Sequence, residues 1–257
     1  MEPLGFSLEI ICFLFGASLV AGFIDTLAGG GGLITLPALI MSGIPPLFAL
    51  GTNKLQGTMG TATATLMMFR KRAVRWDDVK FHMLFAFIGA ALGTAAVQLV
   101  DAELLSLVIP VVLVVIAVYF LLFPQRSVVS SEPRMGRKLY RSLVVPAVGW
   151  YDGMFGPGTG SFFALAGVAL RGLRLVESTA VAKTLNFATN IASLLVFLLG
   201  GKVVWLAGLV MMGGQVCGAW LGSRFLFRIN PLHLRYLVVA MCLGMLAKYL
   251  VSLVASS

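Results

Sequence analysis

Asp25-Thr-Leu-Ala-Gly-Gly-Gly-Gly32 and Asp152-Gly-Met-Phe-Gly-Pro-Gly-Thr-Gly160 decide how this chain folds. Each is a glycine-rich break between two apolar runs; of the runs that flank them, 33–44, 142–151 and 161–170 are too short to cross a membrane singly, while 6–24 could. The two breaks also match each other. Gly22, Asp25, Gly29 and Gly31 repeat as Gly149, Asp152, Gly156 and Gly158 at an offset of 127. After a two-residue slip the register continues at 129: Lys54 with Lys183, Leu66 with Leu195, Val74 with Val203, Trp76 with Trp205, and GAALG (89–93) with GAWLG (218–222). Apolar residues match by chance; a lysine, a tryptophan and paired glycines in one register do not.

Composition sets the class. The 257 residues are 59% hydrophobic and 11% charged, with a mean hydropathy of +0.98. A soluble domain is about 25% charged, so this chain cannot cover itself in water. A membrane helix needs about 20 apolar residues, and the apolar runs are 6–24, 33–44, 47–69, 81–100, 104–123, 142–151, 161–170, 175–199, 203–222 and 232–254. They are continuous rather than alternating, which excludes a transmembrane β-barrel. The fold expected is an all-α polytopic membrane protein with two repeats, 1–123 and 141–257, joined by a cytoplasmic linker at 124–140. Met1-Glu2-Pro3 lacks a positive n-region, so no cleavable leader is expected. Cys12, Cys217 and Cys242 lie inside apolar runs and read as buried free thiols.

Charge orients the repeats. Fifteen of the 19 Lys and Arg fall in four clusters: Arg70 to Lys80, Arg126 to Arg141, Arg171 with Arg174, and Arg224 to Arg235. The positive-inside rule places all four in the cytoplasm; the net charge of +9 reflects these loops and implies no nucleic-acid partner. With the second and third clusters on one side, 142–151 and 161–170 must go in and come back as a hairpin. Run backwards from Arg70, the first half starts with a hairpin from the other face, and both termini lie outside. This is an inverted-topology repeat: in each half, a Gly-broken helical hairpin followed by three transmembrane helices, a plan common among secondary transporters.

The breaks carry the chemistry. Irregular backbone at membrane depth is tolerated where protein covers it or a cavity adjoins it. Each break opens a helix, whose free N–H groups and positive dipole end favour an anion. Gly29, Gly30, Gly31 and Gly32 in the first break, and Gly156, Gly158 and Thr159 in the second, are the expected substrate contacts. The plainer reading of the glycines is tight turning. Lys54 and Lys183 lie deep in apolar crossings, where an ionisable group is usually functional; Asn53, Asn186, Thr52 and Gln56 supply hydrogen bonds beside them. The competing reading pairs each lysine with a carboxylate such as Asp25 or Glu177. Asp25 and Asp152 read either as proton-coupling groups or as caps holding backbone N–H groups of the breaks.

GAALG and GAWLG are small-residue faces for close helix packing, and Trp76 and Trp205 are interface anchors. His82 and His233 make no metal set with the cysteines, no metal or other cofactor is implied, and no nucleophile–base pair suggests an enzyme. Gly156-Pro-Gly-Thr-Gly160 follows no strand and is no nucleotide fingerprint.

The stretch AGFIDTLAGGGGLITLPAL (21–39), the segment GTNKLQG (51–57) and the echo GWYDGMFGPGTGSFF (149–163) with Lys183 resemble the sulfite exporter TauE/SafE family of membrane transporters. The resemblance spans nearly the whole chain. It implies transport of sulfur-containing anions such as sulfite, organosulfonates or thiosulfate across a bacterial inner membrane, with protons as the coupling ion to consider. Composition and spacing alone give only a small anion, moved by a carrier or by a passive channel, with another oxyanion or small carboxylate as the alternative substrate.

Overall fold

A computed structural model describes residues 6–28, 30–122 and 132–225, and the described residues are all helix and connecting turn. Helix α1 (Leu8–Ala28) and α2 (Gly32–Met41) flank the first break. They are followed by α3 (Pro46–Arg70), α4 (Trp76–Val97) and α5 (Ala102–Leu122). In the second half α6 (Arg137–Leu139) passes through a π-helical turn (Tyr140–Val144) into α7 (Val145–Met154). Beyond the second break come α8 (Thr159–Arg171), α9 (Leu175–Leu199) and α10 (Trp205–Phe225). The apolar run 232–254 lies outside the described residues.

Local chemistry explains the ends. Proline at N1 or N2 starts α3, where its missing N–H costs nothing. Asp77 and Asp78 sit in the first turn of α4 and Glu103 in that of α5, complementing the positive helix end. Four helices close on a left-handed residue: at α2, α3 and α9 it follows the cap and the next N–H reaches five residues back, while at α8 it is the cap itself and the Leu173 N–H donates to Gly167 O. At three of them the left-handed residue is glycine: Gly43 (φ +86°), Gly172 (+65°) and Gly201 (+64°). At the end of α3 it is Arg72 (φ +53°), with Arg72 N–H donating to Phe69 O at 3.0 Å and Ala73 N–H to Met68 O at 3.0 Å.

Two expected boundaries move. The first run was expected to stop at residue 24, but α1 continues to Ala28, because Thr26-Leu27-Ala28 are compatible with helix and the glycines begin only at 29. Asp25 therefore sits in the last turn of α1. The run 142–151 is only the apolar middle of a helical rod spanning 137–154. Charge at Lys138 and Arg141 ends an apolar run; it does not end a helix.

Four of the described helices are long and apolar enough to cross a bilayer: Leu8–Leu27, Trp76–Val97, Leu175–Leu199 and Trp205–Arg224. Their outward faces are apolar. Phe81, Leu84, Ile88 and Leu92 form an exposed stripe along α4, and Leu206, Leu209, Val216 and Trp220 one along α10. In water such stripes would drive aggregation; in a bilayer they meet lipid. The same inversion corrects the cysteine expectation. Cys12 and Cys217 are exposed on this surface, since an apolar side chain gains nothing by turning away from lipid. Cys242 lies outside the described residues. Helix α3 matches α9 in length at 25 residues but is too polar to rank among the four.

Glycines set the helix contacts. α7 packs on α4 and α1 on α10, in both cases backbone against backbone. A Cβ at Gly89 or Gly93 would run into Pro146 or Trp150, and one at Gly149 or Gly153 into Ala86 or Ala90. On the other side Gly218 and Gly222 lie against Leu19 and Phe23. GAALG and GAWLG are thus packing faces, as their small-residue spacing predicts. Between these two pairs, α3 packs on α9, with α2 beside α3 and α8 beside α9. Trp76 and Trp205, exposed at the first residues of α4 and α10, sit where interface anchors belong.

Candidate functional site

The centre of the molecule holds two lysines that are each 1% exposed. Lys54 on α3 reaches into the second half, its Nζ 2.8 Å from Asp152 Oδ2 on α7. Lys183 on α9 reaches into the first half, its Nζ 3.4 Å from Asp25 Oδ2 on α1, and it also donates to the Asp25 backbone carbonyl. An isolated ammonium at this depth costs at least about 2.5–3.5 kcal/mol, and the opposed carboxylates offset that cost. Glu177, the other carboxylate weighed for this role, is exposed near the start of α9 and forms no ion pair with a described residue.

Each aspartate does a second job in its own hairpin. Asp25 Oδ1 accepts the Gly31 N–H across the first break at 3.2 Å, so it satisfies a donor at the start of α2. Asp152 Oδ1 accepts the Thr159 hydroxyl across the second break at 2.7 Å. The capping geometry and the ion pair therefore coexist on one side chain. The two breaks also meet: a Cβ on Gly32 would lie 3.2 Å from Pro157 Cα. Gly156 (φ +93°) and Gly158 (φ +80°) take left-handed conformations that open the turn into α8, and a Cβ on Gly156 would lie 3.3 Å from Lys54 Nζ. Bare backbone here leaves room beside the ammonium.

A cavity of about 30 Å³ lies where these groups converge, enough for about two water-sized spheres. Of the residues expected to bind substrate, Gly32, Asn53, Lys54, Gly156, Gly158 and Asn186 line it, together with Asp25 and Asp152. Gly30, Gly31, Thr159 and Lys183 stand behind that wall, Lys183 through Asp25 and Thr159 through Asp152. Gly29 lies outside the described residues. Gln56, Gly57, Thr61, Asn190 and Gln215 complete the lining. Thr52 is turned away, accepting the Val204 N–H at 2.9 Å.

Hydrogen bonds fix part of this wall. Asn53 Oδ1 accepts from the Thr35 hydroxyl at 2.5 Å and from Gln56 Nε2 at 2.7 Å. Asn190 Nδ2 donates to Asn186 Oδ1 at 3.2 Å. Other capacity is unused. Lys54 Nζ spends one of its three N–H donors on Asp152 at 2.8 Å, and Gln56 Oε1 and Gln215 Oε1 are buried without a hydrogen-bond partner among the described residues. Buried polar groups are nearly always satisfied by protein or water, so this cavity is built for polar contents.

The missed lining residues carry a signal after all. Lys54, Gly57 and Thr61 on α3 stand at the same repeat positions as Lys183, Asn186 and Asn190 on α9, both at spacing i, i+3, i+7. That spacing keeps one helix face toward a neighbour. Five of these six positions line the cavity. Gln215 has no counterpart in the first half, where the register gives Ala86, and only its amide within an apolar crossing marks it.

Comparison with known proteins agrees with this architecture. The family model described as sulfite exporter TauE/SafE matches residues 14–249. A probable membrane transporter protein of Haemophilus influenzae is 44% identical over 241 residues, 94% of this chain and 94% of that protein. The probable membrane transporter protein YfcA of Escherichia coli is 43% identical over 237 residues, covering 92% and 88%. The probable membrane transporter protein ORF9 of a Sinorhizobium species is 44% identical over 225 residues, covering 88% and 85%. No solved structure matches significantly. With lipid-facing helices around a polar centre and relatives of this kind along nearly its whole length, the chain is a multi-pass integral membrane protein and belongs to the sulfite exporter TauE/SafE family of transporters.

Proposed function

We propose that this protein is a secondary carrier for small sulfur-containing anions, sulfite or organosulfonates, working by alternating access around the two hairpin tips. The observation that carries the reading is the Lys54 ammonium: buried, lining the cavity, and engaged with Asp152 through one of its three N–H donors. An oxyanion placed there would accept from Lys54 and meet the N-terminal ends of α2 and α8, both favourable to negative charge. Two lysines and two aspartates make the site neutral, so a bound anion adds a charge that must be balanced. Protonation of Asp25 or Asp152 would balance it and release a lysine to the substrate, which makes these carboxylates the proton-coupling groups of the proposal.

Inverted repeats, residues 1–123 and 141–257 about the linker 124–140, are part of the same reading. Helix packing is in keeping with them: α1 on α10 corresponds in repeat register to α7 on α4, and α2 on α3 to α8 on α9. The basic clusters argue for both termini outside an inner membrane. A cavity of about 30 Å³ is small for a tetrahedral oxyanion, which favours a carrier whose walls move over a standing pore. Uptake of sulfite, thiosulfate, sulfoacetate and sulfate into proteoliposomes, with and without a proton gradient, tests this. Gradient-driven accumulation of a sulfur anion is expected. Flux that only equilibrates would make the protein a channel, and no flux of any sulfur anion would reassign the substrate.

A further inference from the structure

A second, larger cavity of about 430 Å³ opens at one end of the bundle, between the α3–α4 turn, the start of the 137–154 rod and the α8–α9 turn. Arg72, Arg75, Arg137 and Arg171 line it against Asp78 and Glu177, leaving two positive charges in excess. Two of these arginines are engaged: Arg137 donates to Asp78 O at 2.9 Å and lies 3.6 Å from its carboxylate, and Arg171 donates to Met135 O. Arg72 and Arg75 have neither a hydrogen bond nor an ion pair from their side chains among the described residues.

Arg72 is the anomaly. It occupies the left-handed position after the cap that glycine fills at the ends of α2 and α9. Its counterpart in the other repeat is Gly201, whose closing hydrogen bonds match its own residue for residue. Glycine is the residue this position favours, and a side chain there is strained. A strained residue at the mouth of a cavity points to a use for its side chain.

We propose that this arginine-lined cavity is a second anion site, with Arg72 and Arg75 as its free ligands, taking an oxyanion of the sulfite or sulfonate class. Val181, in its wall, and Asn186, in the wall of the central cavity, are five positions apart on α9, so about one and a half turns of the helix divide the two sites. Phe163, 1% exposed, lines the larger cavity from α8 and packs in one apolar cluster with Ala182 and Leu185 of that stretch of α9. The site would gather the anion before it passes Phe163. Identifying the ligand with the substrate rests on the carrier reading; the existence of the site does not.

The test is titration calorimetry of purified protein in lipid-free detergent with sodium sulfite and, separately, sulfoacetate. Wild type should show two binding events. Arg72→Gly should lose one of them, or weaken it by about tenfold or more as expected for a charge-assisted contact, while melting at or above the wild-type temperature. A merely structural arginine would give the opposite, a lower melting temperature with binding intact, and that result overturns the proposal. A single event in wild type that Arg72→Gly leaves unchanged also overturns it. Lys54→Met should keep the Arg72-dependent event even where the central one is lost, so failure of the carrier reading is separable. If sulfite binds only when phosphatidylglycerol is absent from nanodiscs, the arginines hold a lipid headgroup, and the soluble-anion proposal fails.

Discussion

The two buried ion pairs occupy equivalent repeat positions but are not equally sealed. Lys54 and Asp152 lie 2.8 Å apart with side chains 1% and 2% accessible. Lys183 and Asp25 lie 3.4 Å apart, with Asp25 at 13%. In the first pair Asp152 is steadied by a hydroxyl, Thr159, and the lysine faces the cavity. In the second the aspartate itself faces the cavity, held by the Gly31 N–H, while its lysine stands behind it and grips its backbone carbonyl. The cavity therefore meets both members of the first pair, Lys54 and Asp152, but only the carboxylate, Asp25, of the second.

This difference predicts a ranking. Lys54→Ala leaves Asp152 charged and uncompensated in a sealed setting, and should cost about 3–5 kcal/mol of stability, measured by denaturant unfolding in detergent, together with loss of anion binding. Lys183→Ala should cost less, about 1–3 kcal/mol, because Asp25 keeps the Gly31 N–H and some access to water; an equal or larger loss would break the comparison. Lys54→Met combined with Asp152→Leu should recover most of the lost stability, since replacing a buried pair with apolar groups is often neutral, yet should bind no anion. The smallest effect expected is for Thr159→Val, about 1 kcal/mol, read as a lowered melting temperature that disappears when Asp152 is already Leu.

The helices were legible because glycine and charge punctuate this chain so plainly. What the punctuation hid was continuity: α1 runs past Asp25, and the 137–154 rod runs through Lys138 and Arg141, because neither a carboxylate nor a cation stops a backbone hydrogen-bond ladder. The lysines and aspartates could be picked out as unusual from their depth. Asp25 was legible as a candidate partner, but which lysine takes it and that Lys54 takes Asp152 were not, because Lys54 finds Asp152 98 positions away and Lys183 finds Asp25 158 positions back, a pairing made by the packing of α3 and α9 between the hairpins. Thr61 and Asn190 were readable from the lysine register. Gln215 needed the three-dimensional arrangement, since nothing in its neighbourhood says which way an amide on α10 points.

The polarity of α3 bears on how the protein is made. This helix carries Thr52, Asn53, Lys54, Gln56, Thr58 and Thr61, all buried by the rest of the fold, and it falls outside the helices apolar enough to cross a membrane unaided. During synthesis α3 emerges more than a hundred residues ahead of α9, and Lys54 emerges 98 residues ahead of Asp152. Until those arrive, insertion into lipid exposes its polar face at a cost of several kcal/mol. The translocon, or another helix held beside it, must then shelter α3 while the second half is translated. A chain ended at residue 123 should show α3 incompletely inserted by glycosylation mapping, and supplying residues 132–257 as a separate chain should rescue it.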